Sequence, residues 1–144
     1  MSKYTPPIAQ GVLGNRLMAY IIDLIVIFVL TCAFYLVVGL LGILTFGLAW
    51  FALALPGAFI GILYSTLTVS SEKQATIGMR SVGIRLIDAQ TGGTVPPLNA
   101  AVHALLFYAA AMSGILLALD ILIGIFRADG RLGHDLVVGV VATR

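Results

Sequence analysis

Apolar residues run almost without interruption from Leu17 to Val69, and Asp23 is the only charge in that stretch. A spanning helix needs about 20 apolar residues, so the run predicts two membrane helices in a hairpin. Gly39, Gly42 and Gly47 place the turn, which gives spans of about 17–41 and 44–67. Pro56 and Gly57 predict a kink in the second span, and Gly57 with Gly61 forms a small-xxx-small pattern suited to close helix contact. A polar stretch follows at about 70–98, holding Glu72, Lys73, Arg80, Arg85 and Asp88. Within it, "SVGIRLID" reads as a short strand and "QTGG" as a turn, while Pro96 and Pro97 introduce another helix. A third apolar run covers about 100–126, interrupted by His103, Ser113-Gly114 and Asp120. It is long enough for one tilted crossing and too short for two, so it either crosses once or breaks at Ser113-Gly114 and re-enters. The Val-rich stretch 136–142 is a strand candidate, expected to pair with "VGIRLID".

The expected fold is thus an all-α membrane protein with one domain over residues 1–144. It consists of a transmembrane hairpin, a third membrane helix and a small cytoplasmic β element.

Composition strengthens this class. Of 144 residues, 60% are hydrophobic and 10% charged, with a mean hydropathy of +1.10. A soluble domain carries about 25% charged residues to solvate its surface. The net charge of +2 and the lack of any long basic run argue against nucleic acid as a partner. Lone Cys32, inside an apolar run, offers neither a disulfide framework nor a metal knuckle and reads as a small packing residue. The apolar run after Arg16 is far longer than a signal-peptide core of about 7–15 residues, so the N-terminus is read as retained. Lys3 and Arg16 precede the first span and Lys73, Arg80 and Arg85 follow the second, whereas the turn between them has no basic residue. The excess of positive charge predicts a cytoplasmic N-terminus and a cytoplasmic 70–98 loop. A re-entrant third segment would keep Arg127, Arg131 and Arg144 on that side as well.

Asp23 sits two helical turns from Arg16 on the same face, with Tyr20 between them. An acid near the middle of a membrane helix costs about 2.5–3.5 kcal/mol on insertion scales. It therefore needs a reason to be there. One reading is a structural acid that bonds a neighbouring helix; the other is an acid facing a polar cavity, where protons and cations compete for it. Candidate partners for Asp23 are Arg80, Arg85, Arg131 and His134. His103, near the start of its helix, reads as an interfacial residue, and Asp120 is the more informative acid of the third run.

Three blocks resemble the RDD family of small bacterial membrane proteins: "RLMAYIIDLIVI", "ATIGMRSVGIRLIDAQTGG" and "GRLGHDLVVGVVATR". The family is named for one arginine and two aspartates, which match Arg16, Asp23 and Asp135. The middle block is similar to the family's "T-P-G-K-R…G-L-R-V-V-D" segment. Ile77 stands in place of its proline and Met79 in place of its lysine, whereas Gly78, Arg80 and Asp88 fit. The resemblance implies a bacterial inner-membrane protein with a transport role, in some members resembling cation/proton antiport.

Two function classes follow. One is proton-coupled transport of a cation or small solute through Asp23, with Arg16 and Asp135 in the same site and Arg80, Arg85, Asp120 and His134 as secondary candidates. Two or three helices cannot enclose a pathway alone, so transport calls for a homodimer or a larger membrane complex. The other is a non-transporting accessory protein in which Arg16, Asp23 and Asp135 form a structural polar cluster. No nucleophile elbow, phosphate loop, dinucleotide glycine pattern or zinc spacing is present, so neither an enzyme nor a cofactor or metal is expected.

Overall fold

A computed structural model of the chain describes residues 12–54 and 56–144; Lys3 and the rest of the N-terminal lead lie outside them. Helix α1 covers Val12–Leu44, 33 residues and about 50 Å of helix. It passes through Gly39 and Gly42, which the sequence assigned to a turn. Those glycines instead seat Trp50: a Cβ on Gly42 would strike the indole, whose Nε1–H donates to the Gly39 carbonyl at 3.2 Å. The chain turns at Thr45–Gly47, where Phe46 (φ 51°) and Gly47 (φ 93°) take left-handed conformations.

The second arm is broken rather than kinked. A 3₁₀ helix, Leu48–Ala54, precedes α2, Gly57–Val69, at an angle of 80°. Pro56 is the N-cap of α2, and its missing N–H cannot extend a helical ladder backwards. Gly57 and Gly61 do not serve one contact: Gly57 lies against Thr31 of α1, and Gly61 makes room for the Tyr108 hydroxyl.

In the central loop, α3 spans Ile77–Ser81 and β1 spans Arg85–Asp88. Helix α4 (Pro97–Ser113) and α5 (Ile115–Phe126) bend by 117° at Gly114. Gly114 has φ 60° and ψ −52°, a conformation a residue with a Cβ rarely adopts, which is why the run breaks there. The third segment is therefore two helices joined at a sharp corner.

The tail holds α6, Gly133–Val138, and β2, Val140–Thr143. The first half of the predicted strand at 136–142 is thus helix, ended by Gly139 at φ 79°. The strand that remains pairs with β1 antiparallel, Arg85 opposite Thr143 and Asp88 opposite Val140. The expected pairing of loop and tail is present, and it puts both on one side of the helical body. Asp88 shapes the turn after β1 by accepting from the Gln90 and Thr91 amides at 2.9 and 2.8 Å.

The buried core lies at this end. Val12 and Ala19 of α1 and Val69 of α2 pack with Ile84, Leu86, Val95, Ala100, Val140 and Ala142. Past Asp23, α1 leaves Phe28, Leu36 and Ile43 about two-thirds exposed. Cys32 is exposed there too, correcting its reading as a packing residue. The charge-free part, Leu24–Leu44, is about 31 Å long, which matches a hydrocarbon core of about 30 Å. Among the described residues, α1 alone is one helix long and apolar enough to cross, and each bent pair adds one more span if it counts as one.

Candidate functional site

Asp23 meets α3 rather than a cation. Its Oδ1 accepts from the Tyr64 hydroxyl at 2.7 Å and the Gly78 amide at 2.8 Å, and its Oδ2 accepts from the Thr76 hydroxyl at 2.5 Å. Both hydroxyls in turn accept backbone N–H groups, Tyr64 from Ile77 and Thr76 from Met79. Those bonds orient the hydroxyl hydrogens toward the carboxylate. The approach is close because position 78 is glycine: a Cβ there would run into the Ala19 carbonyl and stand 2.8 Å from Asp23 Cγ. Helix α3 also carries exposed Arg80. Asp23 therefore lies against a short helix that carries an exposed arginine, not among apolar side chains alone.

A second cluster forms two turns earlier on α1, at Arg16. Arg16 binds Asp135 through both guanidinium nitrogens, Nη1 to Oδ2 and Nη2 to Oδ1, the latter at 2.9 Å. Asp135 is fully buried and also meets His103 Nε2 at 2.8 Å and the Leu132 amide at 3.0 Å. Burial opposes its ionisation, yet the Arg16 charge and hydrogen bonds, with His103 adding to them, hold its carboxyl well below the usual carboxylate range.

His134, the neighbour of Asp135 on α6, turns to α5. Its amide donates to Asp120 Oδ1 at 2.8 Å and its Nδ1 meets Asp120 Oδ2 at 2.7 Å. Two donors on Asp120 suit a carboxylate. The bond at Nδ1 leaves His134 Nε2 to face Asp135 Oδ1 at 3.5 Å. The rings of His103 and His134 stand 4.5 Å apart. Arg16, His103, Asp120, His134 and Asp135 thus form one contiguous buried network across α1, α4, α5 and α6.

Both clusters border a cavity of about 430 Å³, with Asp23 at one part of its wall and Arg16, His103 and His134 at another. Its remaining wall is largely apolar and aromatic.

The sequence candidates separate accordingly. Arg16 and Asp135 come together; Asp23 shares their cavity but none of their hydrogen bonds. Asp120 and His134 pair with each other. None of the basic partners proposed for Asp23 bonds to it. Arg80 donates its Nε–H to the Ala75 carbonyl at 3.0 Å, and Arg85 lies on β1. Arg131 bonds Asp129 at 3.0 Å. Tyr20 packs edge-on against Phe107. His103, read as interfacial, is buried in the ion-pair network. Tyr64 and Thr76 were missed, although Thr76 three residues before Met79 is an N-cap pattern that marks the start of α3.

His103, His134 and Asp135 each bring one ligand atom to within 4.8 Å of the others. Asp135 is already committed to Arg16, His103 and Leu132, and the guanidinium charge opposes a dication beside it. The arrangement suits a proton or a singly charged cation better than a divalent metal.

The model of the RDD family matches residues 11–139. No curated protein and no solved structure matches the chain.

Proposed function

The chain belongs to the RDD family, a membrane protein, and on that premise we propose that it exchanges protons for a singly charged cation. The observation that carries this reading is a charge count. Asp23, Asp120 and Asp135 lie on or directly behind the cavity wall, against one guanidinium, Arg16. With both imidazoles neutral, the Asp120–Asp135–Arg16 network is one positive charge short, and Asp23 has only neutral donors. A proton taken up by this network, or a cation in the cavity, relieves the same deficit, and two ligands that relieve one deficit compete. Competition at a site exposed to either side in turn is the minimum physics of antiport.

The rest of the proposal concerns setting. The protein lies in a bacterial inner membrane as a multi-pass chain, with its N-terminus, the 70–98 loop and the tail cytoplasmic. It works as a symmetric dimer or inside a larger membrane complex, since so few helices cannot wall a pathway alone. No enzymatic step is proposed.

The test uses proteoliposomes with an internal pH dye and an imposed gradient of either an alkali ion or an organic ammonium ion. Wild-type protein should move protons in response to at least one of these gradients. Asp120→Asn, which removes one negative charge at nearly constant shape, should reduce that response at least tenfold while the protein remains folded. Undiminished exchange in Asp120→Asn, or no exchange by folded wild type, sinks the reading.

A second reading, the non-transporting accessory protein, draws on a different observation. Asp23 is saturated with donors that fasten α3 to α1, as expected of a structural clasp. Under it, Asp23 and Asp120 variants alter stability or assembly, and no gradient moves protons in any of them.

A further inference from the structure

The cavity narrows what kind of cation the site takes, an inference that rests on the exchange reading for its transport consequence but not for binding. At about 430 Å³ it holds the volume of many waters, each about 30 Å³, and falls in the 300–1,000 Å³ range of organic-ligand pockets. An alkali ion stripped of water needs a tight shell of oxygens. Here the oxygens are few: beside the Asp23 carboxylate the lining has the hydroxyls of Thr76, which is already on Asp23, and of Tyr20, Ser65 and Tyr108. Most of the wall is carbon.

Three aromatic rings run along one side of this space. Tyr20 meets Phe107 edge-on with centroids 5.2 Å apart, and Phe107 meets Tyr108 edge-on at 5.4 Å. Leu117 and Ile121 of α5 line the cavity as well. Rings near a carboxylate suit an organic ammonium group, which gains from the ring faces and from the negative charge together. Among the described residues, Asp23 is the only carboxylate in the lining, and its bonded partners are all neutral. Arg16, the one lining guanidinium, is neutralised by Asp135.

We infer that the cavity between α1, α4 and α5 binds a small organic ammonium ion, with its charge toward Asp23 and its apolar body against Phe107 and Ile121. A bare alkali ion matches neither the volume nor the walls. A wholly apolar lipid chain leaves the Asp23 charge unanswered.

The test is equilibrium binding to the full chain in nanodiscs, with empty nanodiscs as the blank. The probe is benzyltrimethylammonium, whose fixed charge keeps it out of the bilayer. It should bind saturably and resist displacement by a hundredfold excess of sodium. The neutral analogue 2-phenylethanol should bind at least tenfold more weakly. Ile121→Trp, which fills the cavity from α5, and Phe107→Leu, which removes the central ring, should each weaken the probe at least tenfold; either one that stays folded by thermal melting suffices. The inference falls if the probe does not bind, if sodium displaces it at equal concentration, if 2-phenylethanol binds equally well, or if a folded variant binds as wild type does. Sodium-driven proton exchange without probe binding would overturn this inference and leave the exchange reading standing. Probe binding without any proton exchange would do the reverse.

Discussion

Replacing Asp23 with leucine should loosen α3 from α1 far more than replacing it with asparagine. Leucine removes the shared acceptor of three donors: the Tyr64 hydroxyl, the Thr76 hydroxyl and the Gly78 amide. A buried donor left without a partner costs about 1–3 kcal/mol. The two hydroxyls can rotate toward the cavity and recover part of that loss. The Gly78 amide cannot, because it is a backbone group fixed in the first turn of α3. The net loss should be about 3–5 kcal/mol. Asparagine keeps one oxygen for Tyr64 and Gly78 and presents its amide to Thr76, which can turn to accept. It loses mainly the strength that charge lends those bonds, about 1–2 kcal/mol. At about 3 °C per kcal/mol for a chain of this size, Asp23→Leu should melt about 10 °C below wild type and Asp23→Asn about 3–5 °C below. Thermal melting in nanodiscs measures both, and amide exchange at residues 77–79 locates the loosening. Equal melting of the two variants, or full protection of those amides in Asp23→Leu, would refute the clasp. Under the exchange reading, Asp23→Asn stays folded and loses flux, since it removes one of the negative charges for which protons and cations compete.

The remaining predictions concern the tail. Asp135 ionises more readily folded than unfolded, so its stabilisation is complete above the ordinary carboxylate pKa and is lost only as pH falls through its lower folded value. Melting from pH 7 to 3 should show its contribution holding to about pH 4 and fading below, and Asp135→Asn should remove that acid limb along with about 3–5 kcal/mol of stability. In a Cys32→Ala background, Arg85→Cys and Thr143→Cys face each other across the ladder and should form a disulfide on oxidation; failure to cross-link would contradict the sheet. In the same background, an impermeant thiol reagent on intact cells should label Thr45→Cys and spare Gln90→Cys, and the opposite pattern would invert the proposed orientation.

What the sequence disclosed was whatever depends on local pattern. The apolar runs announced the membrane helices, and the β-branched stretches "VGIRLID" and 136–142 announced a pair of strands. Local pattern also misled. "LVV" at 136–138 reads as strand by composition, but the Asp135 carboxylate binds the Leu132 amide and the left-handed Gly139 closes the segment as a helical turn. Gly39 and Gly42 read as turn residues, although they serve a tryptophan on the facing segment. The partners of the site were the least legible part. Asp23 finds Tyr64, Thr76 and Gly78 at separations of 41 to 55 residues, and Asp135 finds His103 at 32. No helical or strand period links such positions. Only the general demand that a buried acid be satisfied foretold that partners existed, and it did not name them.

The span between Arg16 and Asp135, 119 residues, also orders the birth of the protein. When α1 leaves the ribosome, its guanidinium has no Asp135 carboxylate to meet, so it must wait while the other helices are made. The partner emerges on α6, after α5, and β2 then knits the late chain to β1. The N-terminal half is therefore made before it is locked, and α6 with β2 acts as the fastening. A chain interrupted before α6 would hold its helices in the membrane without the bond that makes them one body, and quality-control proteases would meet it in that unfastened state.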